Sequence, residues 1–134
     1  MNYVRIVVLS VIVLFSISDA RAQTPDATPK GAFRTVHLVN LKTPTDVATL
    51  QSAIAEMNNA VAKASAKDVR YRLYKVTGTQ AGSQAYMWDS SWPSGEVYDK
   101  VHRSAEWIAA TKKHPLDAVT ADQIYNRYIE VAKP

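Results

Sequence analysis

The chain has 134 residues, of which 47% are apolar and 21% are charged, as expected for one globular domain rather than a disordered segment. It contains no cysteine, which excludes disulfides, thiolate nucleophiles and cysteine-ligated metal sites. Its formal net charge of +4 is too small to indicate nucleic-acid binding by itself.

The first 22 residues have the pattern of a secretory signal peptide. Arg5 precedes an almost wholly apolar run over residues 6–17, and Ala20-Arg21-Ala22 has the small residues of a cleavage site. As a helix, that run spans only about 18 Å, which is short of a hydrocarbon core of about 30 Å. We therefore expect cleavage after Ala22, export to the periplasm or beyond, and no stable membrane anchor afterwards. An uncleaved anchor is the alternative.

The next segment, residues 23–32, contains two prolines and a glycine without apolar periodicity, and it is predicted to be a flexible tether. The folded domain is expected to occupy residues 33–134. It opens with alternating side chains over 33–41, which predict a first strand. A first helix is predicted from a cap at Thr43 to about Ala66, because apolar residues then recur at helical spacing.

The second half of the domain repeats this strand and helix pattern. Alternating residues predict strands over 69–77 and 84–89, joined as a hairpin through a glycine-bounded turn at 78–82. Residues 90–95 have turn chemistry. A second helix is predicted from about residue 94 to 113, with a possible new cap at Ser104, and a last strand over 124–131.

The predicted order βαββαβ indicates an α+β, ferredoxin-like fold: a four-stranded antiparallel sheet with both helices on one face. Strands 2 and 4 carry large apolar side chains on both faces, although helices cover only one. We expect a second copy to cover the other face, giving a homodimer through the sheet. One extra covering element or a ligand is the alternative.

One stretch of sequence carries a family resemblance. Tyr86-Met87-Trp88-Asp89 is followed by a helix containing Glu96, His102 and Ser104-Ala105-Glu106-Trp107. This arrangement resembles antibiotic biosynthesis monooxygenase and NIPSNAP-type domains of the dimeric α+β barrel superfamily, over residues 33–132. The resemblance implies that fold and a cofactor-independent monooxygenase that acts on a quinol or polycyclic phenol.

Heme-degrading relatives place a histidine on this helix, an asparagine on strand 1 and a tryptophan on strand 3. His102, Asn40 and Trp88 occupy the corresponding positions here. We predict that His102 and His37 are catalytic acids or bases, since neutral imidazole can serve either role near neutral pH. For each histidine, a hydrogen-bonded packing role is the alternative.

The tyrosines and tryptophans are numerous enough to form an aromatic pocket for a flat organic ligand. We predict that the ligand contacts the side chains of Asn40, Tyr71, Tyr86, Trp88 and Tyr128. Ordinary strand packing is the alternative for the aromatic residues.

These observations predict an exported protein that binds a small aromatic molecule, with no metal and no other cofactor. The alternatives are a non-catalytic envelope-stress or interaction module and a heme-binding or heme-degrading protein. Nucleotide-binding glycine loops, the Gly-x-Ser-x-Gly hydrolase motif and the His-Glu-x-x-His zinc motif are absent from the sequence. No RNA-binding signature is present, so a nucleic-acid partner is not expected.

Overall fold

The computed structural model describes residues 27–78 and 84–131. In chain order, the elements within these ranges are β1 (Phe33–Leu41), α1 (Asp46–Lys63), β2 (Arg72–Lys75), β3 (Tyr86–Trp92), α2 (Gly95–His102), α3 (Ala105–Lys113), a 3-10 turn (Leu116–Ala118) and β4 (Thr120–Tyr128). None of the helices in the described ranges combines the length and apolarity needed to cross a bilayer.

The four strands form one antiparallel sheet in the order β2-β3-β1-β4. β1 lies at the centre and pairs with β3 on one side and β4 on the other. This topology confirms the predicted ferredoxin-like α+β fold. The predicted hairpin also joins β2 to β3, although residues 79–83 of its turn lie outside the described residues.

The core lies between the sheet and the helices. Along β1, alternate side chains point towards the helices, and Phe33, Thr35 and Val39 are buried there. α1 covers them with the apolar stripe that its sequence predicts, of which Val47 is half-buried and these residues are buried: Leu50, Ile54, Met57 and Val61.

α1 ends at Lys63, three residues before the predicted end near Ala66. Ser65 adopts a left-handed backbone conformation with φ of 67°, which stops the helix. β2 is also shorter than predicted, because Asn58 of α1 bonds the chain just before it. The Asn58 side chain accepts from the backbone nitrogen of Tyr71 at 2.7 Å and donates to the Tyr71 carbonyl oxygen at 3.0 Å.

The predicted turn at residues 90–95 is wrong in its first half, because β3 continues to Trp92. Ser90 and Trp92 pair with Thr35 and Phe33 of β1. The buried Ser90 hydroxyl lies 2.7 Å from the Thr35 hydroxyl and accepts from Trp92 Nε1 at 2.8 Å. Pairing with the central strand therefore outweighs the local turn composition.

The predicted second helix is two helices, and the expected cap at Ser104 is confirmed. The Ser104 hydroxyl accepts from the Trp107 backbone nitrogen at 3.2 Å and starts α3, while Ser94 caps α2 in the same way through Val97. The last strand was predicted over 124–131 but spans Thr120–Tyr128. It begins earlier because the 3-10 turn at Leu116–Ala118 brings the chain alongside β1, where Thr120 pairs with Leu41.

The start of α2 lies against the chain that precedes β1. A Cβ placed on Gly95 would lie 2.2 Å from the Pro29 carbonyl oxygen and 2.9 Å from Thr28 Cγ2. The Thr28 hydroxyl also donates to Asp99 of α2 at 3.3 Å. The last residues of the predicted tether therefore contact the domain. Residues 23–26 of that tether and the predicted signal peptide at 1–22 lie outside the described residues.

We call the side of the sheet turned away from the helices the outer face. Strand alternation and pairing place these side chains on it: Val36, Leu38, Tyr74, Met87, Ile124 and Tyr128. Ile124 and Tyr128 are 43% and 51% exposed. Asp89 is buried on the same face, where it pairs with Arg34, and its Oδ1 has no hydrogen-bond partner among the described residues.

Candidate functional site

A cavity of about 320 Å³ lies between the helix-facing side of the sheet and the helices. Its walls are mainly aromatic, and its lining includes both histidines proposed from the sequence, His37 of β1 and His102 of α2. The aromatic residues that line it are Tyr71, Trp88, Tyr98, Trp107 and Tyr125. This volume is at the lower end of the range of about 300–1,000 Å³ for ligand pockets. Apolar walls with a few polar groups are typical of small-molecule sites.

His102 is the last residue of α2, and its imidazole is held among aromatic rings. It stacks on Tyr98 with ring centroids 3.8 Å apart and lies 4.3 Å from the Trp107 ring. Its Nδ1 donates to the Tyr98 carbonyl oxygen at 2.8 Å, one helical turn earlier. Its Nε2 lies 3.5 Å from the Tyr71 hydroxyl.

Burial lowers the pKa of His102, and the Tyr98 carbonyl and the charge of Asp99 partly oppose that effect. At neutral pH the imidazole is therefore uncharged. With Nδ1 protonated, Nε2 carries a lone pair on the cavity side, which is the form required of a proton acceptor.

His37 lies on the opposite wall, at the centre of the sheet. It stacks on Trp88 at 4.7 Å and tilts against Tyr125 at 4.6 Å, which are its partners on β3 and β4. The Gln123 amide nitrogen lies 2.9 Å from its Nδ1. Burial and then repulsion from His102 lower the pKa of His37 from 6.5 to about 4, so this ring is also neutral at neutral pH.

Tyrosine hydroxyls provide further polar groups near the cavity. Burial raises the pKa of Tyr71 well above its ordinary value of 10.0, and that of Tyr98 to about 12, so both hydroxyls keep their protons. Arg127 donates to the Tyr125 hydroxyl at 2.8 Å, and its guanidinium lies over the Tyr98 ring at 5.6 Å. These hydroxyls can donate to a ligand but cannot act as bases near neutral pH.

The structure brings together four of the seven residues proposed from the sequence: His37, Tyr71, Trp88 and His102. The others lie elsewhere. Asn40 bonds Asp122 of β4 and the Ala85 backbone nitrogen, at the outer face. Tyr128 is exposed on the outer face, and Tyr86 lines a separate groove between α1 and β2.

That groove is larger, at about 710 Å³. Its lining includes three cations, Arg70, Arg72 and Lys75, and it lacks a histidine or carboxylate that could accept a proton. The smaller cavity is therefore the better candidate for chemistry. In the described ranges, no group of three or more histidine, aspartate or glutamate side chains is placed to hold a metal ion.

Eight of the residues that line the cavity were not proposed as site residues from the sequence, among them Tyr98, Trp107, Gln123 and Tyr125. Tyr98 could have been proposed from the sequence, because it precedes His102 by one helical turn and therefore lies beside it on the same helix face. Gln123 was missed because the last strand was predicted to begin one residue after it. Trp107 also packs within the core, since its ring stacks on Tyr71 at 5.6 Å.

Comparison with known proteins rests on structure alone, since no family model and no curated protein sequence matches the chain. A DABB family protein with a ferredoxin-like fold from Mesorhizobium loti is 8% identical, with a TM-score of 0.58 over 77% of this chain and 100% of its own. A candidate antibiotic biosynthesis monooxygenase from Caulobacter crescentus is 15% identical, with a TM-score of 0.57 over 78% and 94%.

A dimeric ferredoxin-like protein from Thermobifida fusca is 14% identical, with a TM-score of 0.55 over 74% of this chain and 91% of its own. Identities this low support a common fold and nothing finer. The chain is a ferredoxin-like α+β protein, similar in architecture to DABB proteins and to antibiotic biosynthesis monooxygenase-like structures.

Proposed function

We propose that the cavity binds a planar phenol or quinol and that the protein is a cofactor-independent monooxygenase. One observation carries the proposal: a single aromatic cavity contains two neutral histidines from different elements, His37 of β1 and His102 of α2. The similarity to a candidate antibiotic biosynthesis monooxygenase supports the same reading at the level of the fold.

His102 is the proposed base. Its Nδ1 donates to the Tyr98 carbonyl oxygen, so Nε2 carries the lone pair, and a bound phenol hydroxyl would replace the long 3.5 Å contact of Nε2 with the Tyr71 hydroxyl. A phenol hydroxyl bound within hydrogen-bond distance transfers its proton to Nε2 and leaves an electron-rich ring anion. The surrounding tryptophan and tyrosine rings hold the planar substrate and limit the access of water.

Dioxygen is the proposed oxidant, and the substrate supplies all the electrons. One oxygen atom forms a bond to a ring carbon and the other leaves as water, so that a quinol and dioxygen become a hydroxyquinone and water. No external reductant is consumed. The size of the cavity favours one or two fused rings over a tetrapyrrole, which is why we prefer this reading to a heme site.

Oxygen uptake with 1,4-hydroquinone and 1,4-naphthalenediol tests the proposal, after subtraction of the uncatalysed rate. We expect turnover in the wild type and a loss of about 100-fold or more in His102→Gln, in the range for removal of a general base. His114→Gln is the matched control, because His114 ends α3 and does not line the cavity. Binding of these compounds without oxygen uptake would contradict the enzyme and favour a non-catalytic binding protein.

We also propose that the protein is a homodimer through the outer face. Ile124 and Tyr128 are exposed there beside Val36, an apolar arrangement that a second copy would bury.

Export is proposed from the sequence pattern of residues 1–22. The expected mature chain begins at Gln23, eleven residues before Arg34 of β1. N-terminal sequencing of the protein recovered from the periplasm or medium tests this directly. A chain that retains Met1 in the membrane fraction would contradict cleavage.

A further inference from the structure

The side chain of Gln123 of β4 forms a hydrogen bond with one ring nitrogen of His37. The Gln123 amide nitrogen lies 2.9 Å from His37 Nδ1. An amide nitrogen only donates, so Nδ1 must accept this hydrogen bond. The proton of the neutral His37 ring is therefore on Nε2, which becomes a donor.

His102 has the opposite arrangement. Its Nδ1 lies 2.8 Å from the Tyr98 carbonyl oxygen, which only accepts, so the proton is on Nδ1. The Nε2 of His102 is then an acceptor. The two histidines line one cavity, and because burial lowers the pKa of both rings, they keep these tautomers at neutral pH.

The surroundings of His37 leave its Nε2–H group available to a ligand. The ring is held between Trp88 and Tyr125, and Gln123 occupies Nδ1. Among the described residues, none forms a hydrogen bond with His37 Nε2. This nitrogen is therefore available to donate to water or to an acceptor atom of the cavity's ligand.

We propose that Gln123 is a positioning residue that makes His37 the hydrogen-bond donor of the cavity, opposite the acceptor His102. The proposal deepens the proposed function and rests on it for the identity of the ligand: a planar molecule that presents an ionisable hydroxyl to His102 and an acceptor oxygen to His37. Donation to that oxygen stabilises the negative charge that develops when the hydroxyl loses its proton.

The tautomers can be read without any ligand from long-range ¹H–¹⁵N correlations of the histidine rings at neutral pH, with His37→Gln and His114→Gln used for assignment. We expect His37 to be protonated at Nε2 and His102 at Nδ1. In Gln123→Glu the carboxylate accepts from Nδ1, so the His37 proton should move to Nδ1. In Gln123→Met, which has a similar length and no hydrogen bond, both tautomers should appear. A His37 protonated at Nδ1 in the wild type, or an unchanged tautomer in Gln123→Glu, would overturn the proposal.

Ligand selection provides the second test. The hydroxy-1-tetralones carry a hydroxyl and a carbonyl, 5,6,7,8-tetrahydro-2-naphthol lacks the carbonyl, and 1-tetralone lacks the hydroxyl. By calorimetry, we expect at least one hydroxytetralone isomer to bind the wild type about tenfold or more tightly than either analogue, a difference of at least about 1.4 kcal/mol. Gln123→Glu should lose this advantage and still bind tetrahydronaphthol.

The outcomes separate the two proposals. Equal binding of hydroxytetralones and tetrahydronaphthol would overturn the role of Gln123 while the phenol site stands. Failure of every compound to bind, with the expected tautomers in the spectrum, would overturn the phenol site and the ligand selection together.

Discussion

The imidazole of His102 stacks on the Tyr98 ring with centroids 3.8 Å apart, and its Nδ1 donates to the Tyr98 carbonyl oxygen at 2.8 Å. Both contacts join residues one turn apart in α2. The direction of Nε2 into the cavity is therefore set by the last turn of this short helix. Whatever holds that turn in place also holds the proposed base.

Ser104 is the first such support. Its hydroxyl accepts from the Trp107 backbone nitrogen and donates to the Val101 carbonyl oxygen at 2.6 Å, bridging α2 and α3. We expect Ser104→Ala to lower the free energy of unfolding by about 1 kcal/mol, as for other N-caps, measured by urea denaturation. It should also shift the His102 ring signals.

Ser94→Ala is the matched control, because Ser94 caps the other end of α2. A similar stability loss with unchanged His102 signals is expected there. Equal perturbation of His102 in both variants would contradict the specific role of Ser104.

Gly95 allows the segment before β1 to lie on α2. In Gly95→Ala the new Cβ would lie 2.2 Å from the Pro29 carbonyl oxygen, which is backbone and cannot move alone. We expect a loss of roughly 1–3 kcal/mol of unfolding free energy, as for overpacked sites, and faster proteolysis near Pro29. Gly31→Ala is the control, since nothing lies within 4 Å of its Cβ position. Equal behaviour of the two variants would contradict the packing of residues 28–29 on α2.

His37 gives the stability a pH dependence. Its pKa is lowered from 6.5 to about 4, so between these values the unfolded chain binds a proton that the folded chain does not. The free energy of unfolding therefore falls as the pH is lowered through this window, and the contribution is complete only above about pH 6.5. The full shift corresponds to about 3 kcal/mol, which partial solvent access reduces.

We expect His37→Gln to flatten this dependence by about 1–3 kcal/mol between pH 7 and pH 4, measured by urea denaturation. The carboxylates titrate in both proteins, so their contribution cancels in the comparison. His114→Gln controls for the loss of a histidine outside the cavity. An unchanged slope in His37→Gln would contradict the burial of His37 as a neutral ring.

The proposed dimer contact through the outer face can be tested by replacing two exposed isoleucines. Ile124 lies on that face and is 43% exposed, whereas Ile108 lies on α3 and is 56% exposed. Because both are exposed in the single chain, replacement by lysine should leave the fold intact. We expect Ile124→Lys to be monomeric by light scattering and Ile108→Lys to keep the dimeric mass. A monomeric wild type, or a dimeric Ile124→Lys, would contradict pairing through this face.

The fold was predictable because its signals are periodic. β1 has the predicted bounds of 33–41. α1 buries four residues of the predicted stripe and half-buries the fifth: Leu50, Ile54, Met57 and Val61 are buried and Val47 is half-buried. The errors fall where long-range pairing overrides local composition. Ser90 and Ser91 have turn chemistry, yet they continue β3 because β1 pairs with them.

The site was predictable only in part, because its residues come from different elements. His37 and His102 were recognisable as chemistry-bearing residues, but their meeting in one cavity depends on how α2 crosses the sheet. Asn40 illustrates the limit of a family resemblance. Alternation along β1 places it on the face opposite His37, and it bonds Asp122 there.

The binding claim is tested most directly by a crystal structure of the protein soaked with 2-naphthol. We expect the ring system between the aromatic walls of the cavity, with its hydroxyl oxygen about 2.5–3.2 Å from His102 Nε2. Naphthol bound in the groove between α1 and β2, or a cavity that stays empty at saturating naphthol, would contradict the proposed site.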